Sequence, residues 1–247
     1  MTATRTDATR WTGRTAAGLA LALLACAARP ARAGEAAPAA APAAAPAPAG
    51  AARASSPRWV ALSLLGGTAQ PVSKLADYQW DVHPHAGWGA QALIGRGGLS
   101  VGTRLWRSGT TQALGLAGTP DPHVSTTSLE LVTRARVAHW RAVECVALAS
   151  GGRLAIRYQP DQLTIDTGGT PVTVALEPVS SWIAGAGLAL RAPLADGWAV
   201  GMEAERRVWA LDTAHRSGSA VTFARETFGD WQMRFELGRA WGWRGEP

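Results

Sequence analysis

The stretch Trp231-Gln232-Met233-Arg234-Phe235-Glu236-Leu237-Gly238-Arg239-Ala240-Trp241 decides how the rest of the chain is read. Trp231, Met233, Phe235, Leu237 and Trp241 point one way; Gln232, Arg234, Glu236, Gly238 and Ala240 point the other. Alternation with a period of two marks a strand with one apolar face. The segment 125–138 repeats it, with Leu129, Leu131, Thr133, Ala135 and Val137 opposite Glu130, Val132, Arg134 and Arg136. So does 198–209, with Trp198, Val200, Met202, Ala204 and Val208 opposite Gly201, Glu203, Glu205 and Arg207.

The same pattern recurs at Val60-Leu62-Leu64, Trp88-Ala90-Ala92-Ile94, Leu99-Val101-Leu105 and Trp182-Ala184-Ala186-Leu188-Leu190. In 142–158 the apolar face changes at Gly151-Gly152: Val143, Cys145 and Ala147 share one face before it, Leu154, Ile156 and Tyr158 one face after it. A glycine bulge is expected there. Eight strands follow, at 58–69, 86–94, 99–108, 125–138, 142–158, 179–191, 198–209 and 229–243. A ten-strand alternative arises if 153–158 and 172–177 form their own hairpin.

The connections decide the class. Four, three and six residues join strands two to three, four to five and six to seven; the other four connections span 16, 16, 20 and 19 residues. Short and long alternate, so the loops are sorted by end, as in a membrane barrel with tight turns on one side and long loops on the other. The faces agree. In water the apolar face of a strand looks inward. Here one face mixes Glu and Arg with Gly and Gln and the other carries Trp, Leu, Val and Ala. On a closed barrel in lipid the order inverts, apolar outside and polar inside. Closure is required, because unpaired backbone groups in hydrocarbon cost several kcal/mol each. The expected fold is therefore all-β, an eight-stranded antiparallel transmembrane β-barrel. Trp59, Trp140, Trp182, Trp198, Trp231, Trp241 and Trp243 lie near strand ends, where indole prefers the membrane interface.

The chain has 247 residues, 24 Lys+Arg and 18 Asp+Glu, a formal charge of +6. The first 33 residues carry +4 of that, and 34–247 hold 19 basic and 17 acidic groups with a single lysine, Lys74. A nucleic-acid binder needs a concentrated basic surface, so that class is set aside. Two cysteines, Cys26 and Cys145, allow neither a disulfide framework nor a cysteine metal site. Residues 1–33 read as a secretory signal peptide: a polar stretch with three arginines, an apolar run from Ala16 to Ala28, and a small-x-small site at Ala31-Arg32-Ala33. The run is too short to span a bilayer as a helix. Leu23-Leu24-Ala25-Cys26 offers lipoprotein processing as the alternative to cleavage after Ala33. Residues 34–57, with thirteen Ala and five Pro, read as a disordered periplasmic linker.

The barrel region 58–247 resembles the small Gram-negative outer-membrane barrels of the OmpA, OmpX and OmpW kind. The resemblance is carried by the segment from Trp182 to Glu205, in which a Gly-rich strand, the turn Ala192-Pro193-Leu194-Ala195-Asp196-Gly197 and a Trp-led strand look like that group's penultimate hairpin. The last strand resembles its C-terminal assembly signal, with Arg244-Gly245-Glu246-Pro247 added after Trp243. The resemblance implies a non-enzymatic outer-membrane protein with both termini periplasmic. It also implies the barrel-assembly machinery, outer-membrane lipid and lipopolysaccharide as partners, and a monomer.

For chemistry, the inward positions hold Arg104, Arg134, Arg136, Arg191, Arg207 and Arg234 against Glu130, Glu144, Glu203, Glu205 and Glu236. An eight-stranded barrel has an interior that side chains can fill, and buried charges must pair. The expectation is an ion-pair network plugging the lumen, with a structural, envelope or surface-interaction role; a small passive channel is the alternative. A second alternative is a hydrolase at the outer rim, from Asp81-Val82-His83, Asp121-Pro122-His123 and Asp212-Thr213-Ala214-His215. His83 and His85 alternate as a metal pair would, His139 falls in a short turn, and no cofactor is expected. The long loops fall near 70–85, 109–124, 159–178 and 210–228.

Overall fold

The computed structural model describes residues 58–115, 119–166, 171–217 and 220–243. The signal-peptide, linker and lipoprotein readings, and the final Arg244–Pro247, lie outside the described residues. Ten strands run in chain order: β1 Arg58–Pro71, β2 His85–Arg96, β3 Leu99–Thr111, β4 His123–Trp140, β5 Val143–Gln159, β6 Gln162–Asp166, β7 Pro171–Ala175, β8 Val179–Pro193, β9 Trp198–Ser217 and β10 Ala220–Trp243. Eight of them close into an antiparallel barrel in the order β1-β10-β9-β8-β5-β4-β3-β2. The seam is β1 against β10, from Arg58 opposite Trp243 to Pro71 opposite Asp230. The pair β6–β7 forms a separate two-stranded sheet within one long connection. Residues 153–158 belong to β5, so the ten-strand barrel is excluded.

At one end, here the turn end, two residues join β2 to β3, two join β4 to β5, and four join β8 to β9. All three turns use left-handed residues: Gly97 at φ 59°, Arg141 at φ 54°, and Asp196 with Gly197 at φ 56° and 77°. The opposite, loop end differs from expectation at 210–228. There the chain continues as strand, and β9 and β10 pair up to Ser217 opposite Ala220. The alternation at 210–228 is polar and irregular, so the sequence pattern loses a strand that backbone pairing keeps. The first connection folds inward. A 3₁₀ turn, Ser73–Tyr78, lies across the loop end with Leu75 buried. It is tied down by Val72 N–H to Gly229 O at 3.0 Å, Asp81 N–H to Thr111 O at 2.9 Å and Ala113 N–H to Gln79 O at 2.8 Å.

The faces are inverted relative to a soluble barrel. Leu64, Leu129, Leu131, Phe235 and Leu237 are exposed, while Arg104, Glu203, Glu205 and Arg234 are fully buried. Outward Trp231 and Trp241 on β10 are ten residues apart. At a rise of about 3.3 Å per residue and a tilt near 40°, they stand about 25 Å apart along the barrel axis, the height of a membrane barrel's apolar band. The fold is an eight-stranded transmembrane barrel.

The glycine bulge is not found. β5 keeps register with β4 and β8 through Gly151 and Gly152, and the irregularity lies in β4 between Arg136 and Ala138. Hydrophobicity changes face because the interior changes character. Toward the loop end the inside is apolar, where Leu75, Trp80, Val124, Leu154, Ile156, Ile183, Trp209 and Phe228 pack together. Leu154 and Ile156 point into that layer without any change of backbone phase.

Candidate functional site

Below the apolar layer, nine charged side chains from four strands interlock across the interior. Some pairs are neighbours set by register: Arg104 of β3 stands opposite Glu130 of β4, and on β9 and β10 Glu203 stands opposite Arg234 and Arg207 opposite Asp230. Others reach across the barrel. Arg104 Nη2 donates to Glu130 Oε2 at 2.5 Å and to Glu205 Oε2 at 2.6 Å, and its Nη1 to Glu203 Oε2 at 3.3 Å. Arg134 joins Glu236 at 2.9 Å and also pairs with Glu203. Arg207 makes a two-pronged contact with Asp230, at 2.9 and 2.6 Å, and crosses to Glu130 at 2.8 Å. Arg234 contacts Glu203 at 3.2 Å and pairs with Glu205.

Neutral groups complete the carboxylates. Ser63 donates to Glu236 at 2.7 Å, Ser128 to Glu130 at 2.6 Å and Ser150 to Glu205 at 2.5 Å. Gln232 accepts from Arg234 at 2.6 Å and donates to Asp230 at 3.2 Å. Trp106 lies under Arg234, its ring centroid 5.4 Å from the guanidinium carbon. Small residues make the room: a Cβ on Gly87 would sit 2.4 Å from the Trp106 ring, and one on Gly185 2.4 Å from Glu205 Oε1. Charges this buried persist only when their lone pairs and protons are met.

Eight of the eleven residues expected in the network are in it. Arg136, Glu144 and Arg191 are not; they form a separate cluster at the turn end, with Arg136 to Glu144 at 2.9 Å and Arg191 to Glu144 at 4.0 Å, all partly exposed. They lie where the barrel opens, so water reaches them. Sequence reading missed Asp230, although it shares strand parity with Gln232, Arg234 and Glu236. With Asp230 counted, six arginines face six carboxylates.

Of the expected interface tryptophans, Trp140, Trp182, Trp198, Trp231 and Trp241 are outward and exposed. Trp59 is not among them. It shares the inward face of β1 with Ala61, Ser63 and Leu65, its ring lies against Gly95, and it lines a turn-end cavity of about 50 Å³ with Arg134, Arg136, Glu144 and Arg191. The side chain of Trp243 lies outside the described residues.

The histidines give a smaller cluster. His83 Nδ1 is 2.5 Å from Asp81 Oδ1, and the His83 N–H donates to the same oxygen at 3.0 Å. These contacts hold the Asp81 carboxyl below the usual carboxylate range. His85 Nε2 lies 3.0 Å from Thr110 Oγ1 and 3.5 Å from Asp81 Oδ2. A relay needs hydroxyl and carboxylate on opposite ring nitrogens. Here both approach Nε2, and Thr110 donates its proton to the Asp81 carbonyl at 2.7 Å. The arrangement ties the first connection to β3. Asp121 accepts from Leu114 N–H at 2.9 Å, and the side chain of His215 lies outside the described residues. His139 is exposed in β4 rather than in a turn. No group of three or more His, Cys, Asp or Glu that could hold a metal ion occurs among the described residues.

No family model and no curated protein matches the chain. Among solved structures it is similar to the Neisserial surface protein NspA, at 11% identity over 74% of this chain and 96% of that one, with a TM-score of 0.44. It is similar to Ail, the attachment invasion locus protein of Yersinia pestis, at 12% identity over 74% and 99%, TM-score 0.38. A major outer membrane protein from Thermus thermophilus matches at 11% identity over 74% and 99%, TM-score 0.39.

Proposed function

We propose that the chain is an outer-membrane protein whose barrel is closed to solutes and holds its loop-end strands at the cell surface, in a structural or surface-interaction role without enzymatic chemistry. The observation that carries this reading is the transverse ion-pair layer. Arg104, Arg207, Arg134 and Arg234 each bind carboxylates on other strands, so the charges that could line a path instead cross it. The apolar layer and the 3₁₀ turn above them add a second barrier.

The surface role is supported by β9 and β10. Their pairing with β8 and β1 ends at Trp209 and Asp230, and the hairpin continues beyond. Val221 and Phe223 are exposed on it, Phe223 at 81%. Free strand edges with apolar side chains suit an extended partner segment.

Planar-bilayer recording of the refolded chain tests the closed lumen; conductance near the noise is expected, and large steady conductance would make it a channel. Orientation is tested in a Cys145→Ser background with Thr173→Cys in β7 and Ala195→Cys in the β8–β9 turn. A membrane-impermeant maleimide should label only the first in intact cells. Labelling of only the second would turn the barrel over.

A further inference from the structure

At the loop end of the apolar band, three outward tryptophans each stand opposite an outward arginine on the adjacent strand: Trp88 of β2 opposite Arg107 of β3, Trp182 of β8 opposite Arg153 of β5, and Trp231 of β10 opposite Arg206 of β9. We propose that this arc binds the phosphate groups of net-anionic lipids in the leaflet at the loop end. The inference rests on the barrel crossing a bilayer and is independent of the surface role.

The pairs share a level. Arg107 faces Thr127, which faces Ala155, two residues from Arg153; Ala184, two residues from Trp182, faces Val208, two residues from Arg206. Arg107 and Arg153 are separated by one strand, and so are Arg153 and Arg206. At about 4.8 Å per strand and about 3.3 Å per residue of stagger, Arg107 and Arg153 stand roughly 12 Å apart and Arg153 and Arg206 roughly 16 Å apart. Each is close enough for its own phosphate.

The pairing orients the cations. Arg153 lies over the Trp182 ring at 4.6 Å and Arg206 over Trp231 at 5.7 Å. A guanidinium held by its face on indole keeps its N–H edge free, and that edge matches a phosphate oxygen pair. None of the three arginines has an ion-pair partner among the described residues. A lipid phosphate would supply the counter-charge to the outward N–H edges.

Charge selects the lipid. The exposed acid on these strands nearest the arc, Asp212, is six residues further along β9 and lies 3.8 Å from Arg225. Among the described residues no acid at the arc balances three positive charges, so a headgroup of net negative charge is favoured over a zwitterionic one. The turn-end ring is built differently: Arg239 serves both Trp198 and Trp241, at 5.8 and 5.6 Å, and Arg141 sits beside its sequence neighbour Trp140.

The test is tryptophan quenching of the full chain refolded in phosphatidylcholine vesicles carrying either dibrominated phosphatidic acid or dibrominated phosphatidylcholine. Preferential quenching by the anionic lipid, at least about threefold, is expected. It should be lost in the Arg107→Gln, Arg153→Gln, Arg206→Gln triple variant and retained in the Arg141→Gln, Arg239→Gln double variant. Arg153→Gln alone, on an exposed side chain, should reduce it and serves if the triple variant does not insert. Inorganic phosphate at matched ionic strength should not displace the lipid. Retention in both the triple and the single variant, loss in the double, or displacement by free phosphate would each overturn the proposal.

Discussion

Asp230 receives two hydrogen bonds from Arg207, and nothing in its immediate sequence, Phe228-Gly229-Asp230-Trp231, announces that partner. Replacing it by alanine leaves a buried guanidinium with Glu130 and Ser128 alone. The expected cost is about 3–5 kcal/mol, the range for breaking a buried pair, read as a lower urea midpoint in micelles. Glu144→Ala removes a partly exposed pair at the turn end and should cost no more than about 1 kcal/mol. Equal losses would mean that water reaches the inner layer as freely as the outer. Removing Glu203 and Glu205 together, both to alanine, strips partners from Arg104, Arg134 and Arg234. Transient conductance preferring anions is the expected result in planar bilayers, because the uncompensated charges are positive. A silent double variant would show that the apolar layer alone seals the barrel.

Strands carry their own predictions. Leu237 is outward on β10 between the two tryptophan levels, and Val137 is outward at the turn end of β4. Leu237→Arg should cost about 2–4 kcal/mol and Val137→Arg less than about 1, since the penalty for arginine fades toward the interface. Equal refolding free energies for the two variants would remove the apolar band. The first connection responds to pH through Asp81. Its carboxyl is held below its ordinary pKa by His83, so the contribution is present above the unfolded value near 3.9 and is lost as pH falls through the folded value. Faster amide exchange at His83 below about pH 4, absent in Asp81→Asn, is the expected signature. The strands themselves were legible from parity, because one face meets lipid and the other does not. The extension of β9 and β10 was not. Beyond the membrane neither face has a fixed solvent, so alternation fades while backbone pairing continues from Trp209 opposite Phe228 to Ser217 opposite Ala220.

For the whole molecule, barrel closure between β1 and β10 leaves no free edge in the apolar band. The chain should therefore migrate differently in detergent gels before and after boiling, and fractionate with outer membranes; recovery in the periplasm would contradict the membrane reading. Alternation and spacing alone gave the sorting of connections by end and the face of most strands that meets lipid. Both are local consequences of the sequence. Eight rather than ten barrel strands followed from the pairing of 153–158 within β5. Which charges meet is settled by barrel closure. Arg104 reaches Glu205 across 101 positions of sequence and Arg134 reaches Glu236 across 102, and those pairings depend on how far each strand is staggered before the barrel closes. The same closure turned Trp59 inward, left Arg136, Glu144 and Arg191 at the mouth, and put Leu154 and Ile156 inside. Parity assigns a side chain to a face, but depth along the barrel and the neighbours across it are set by register and closure, which no single strand encodes.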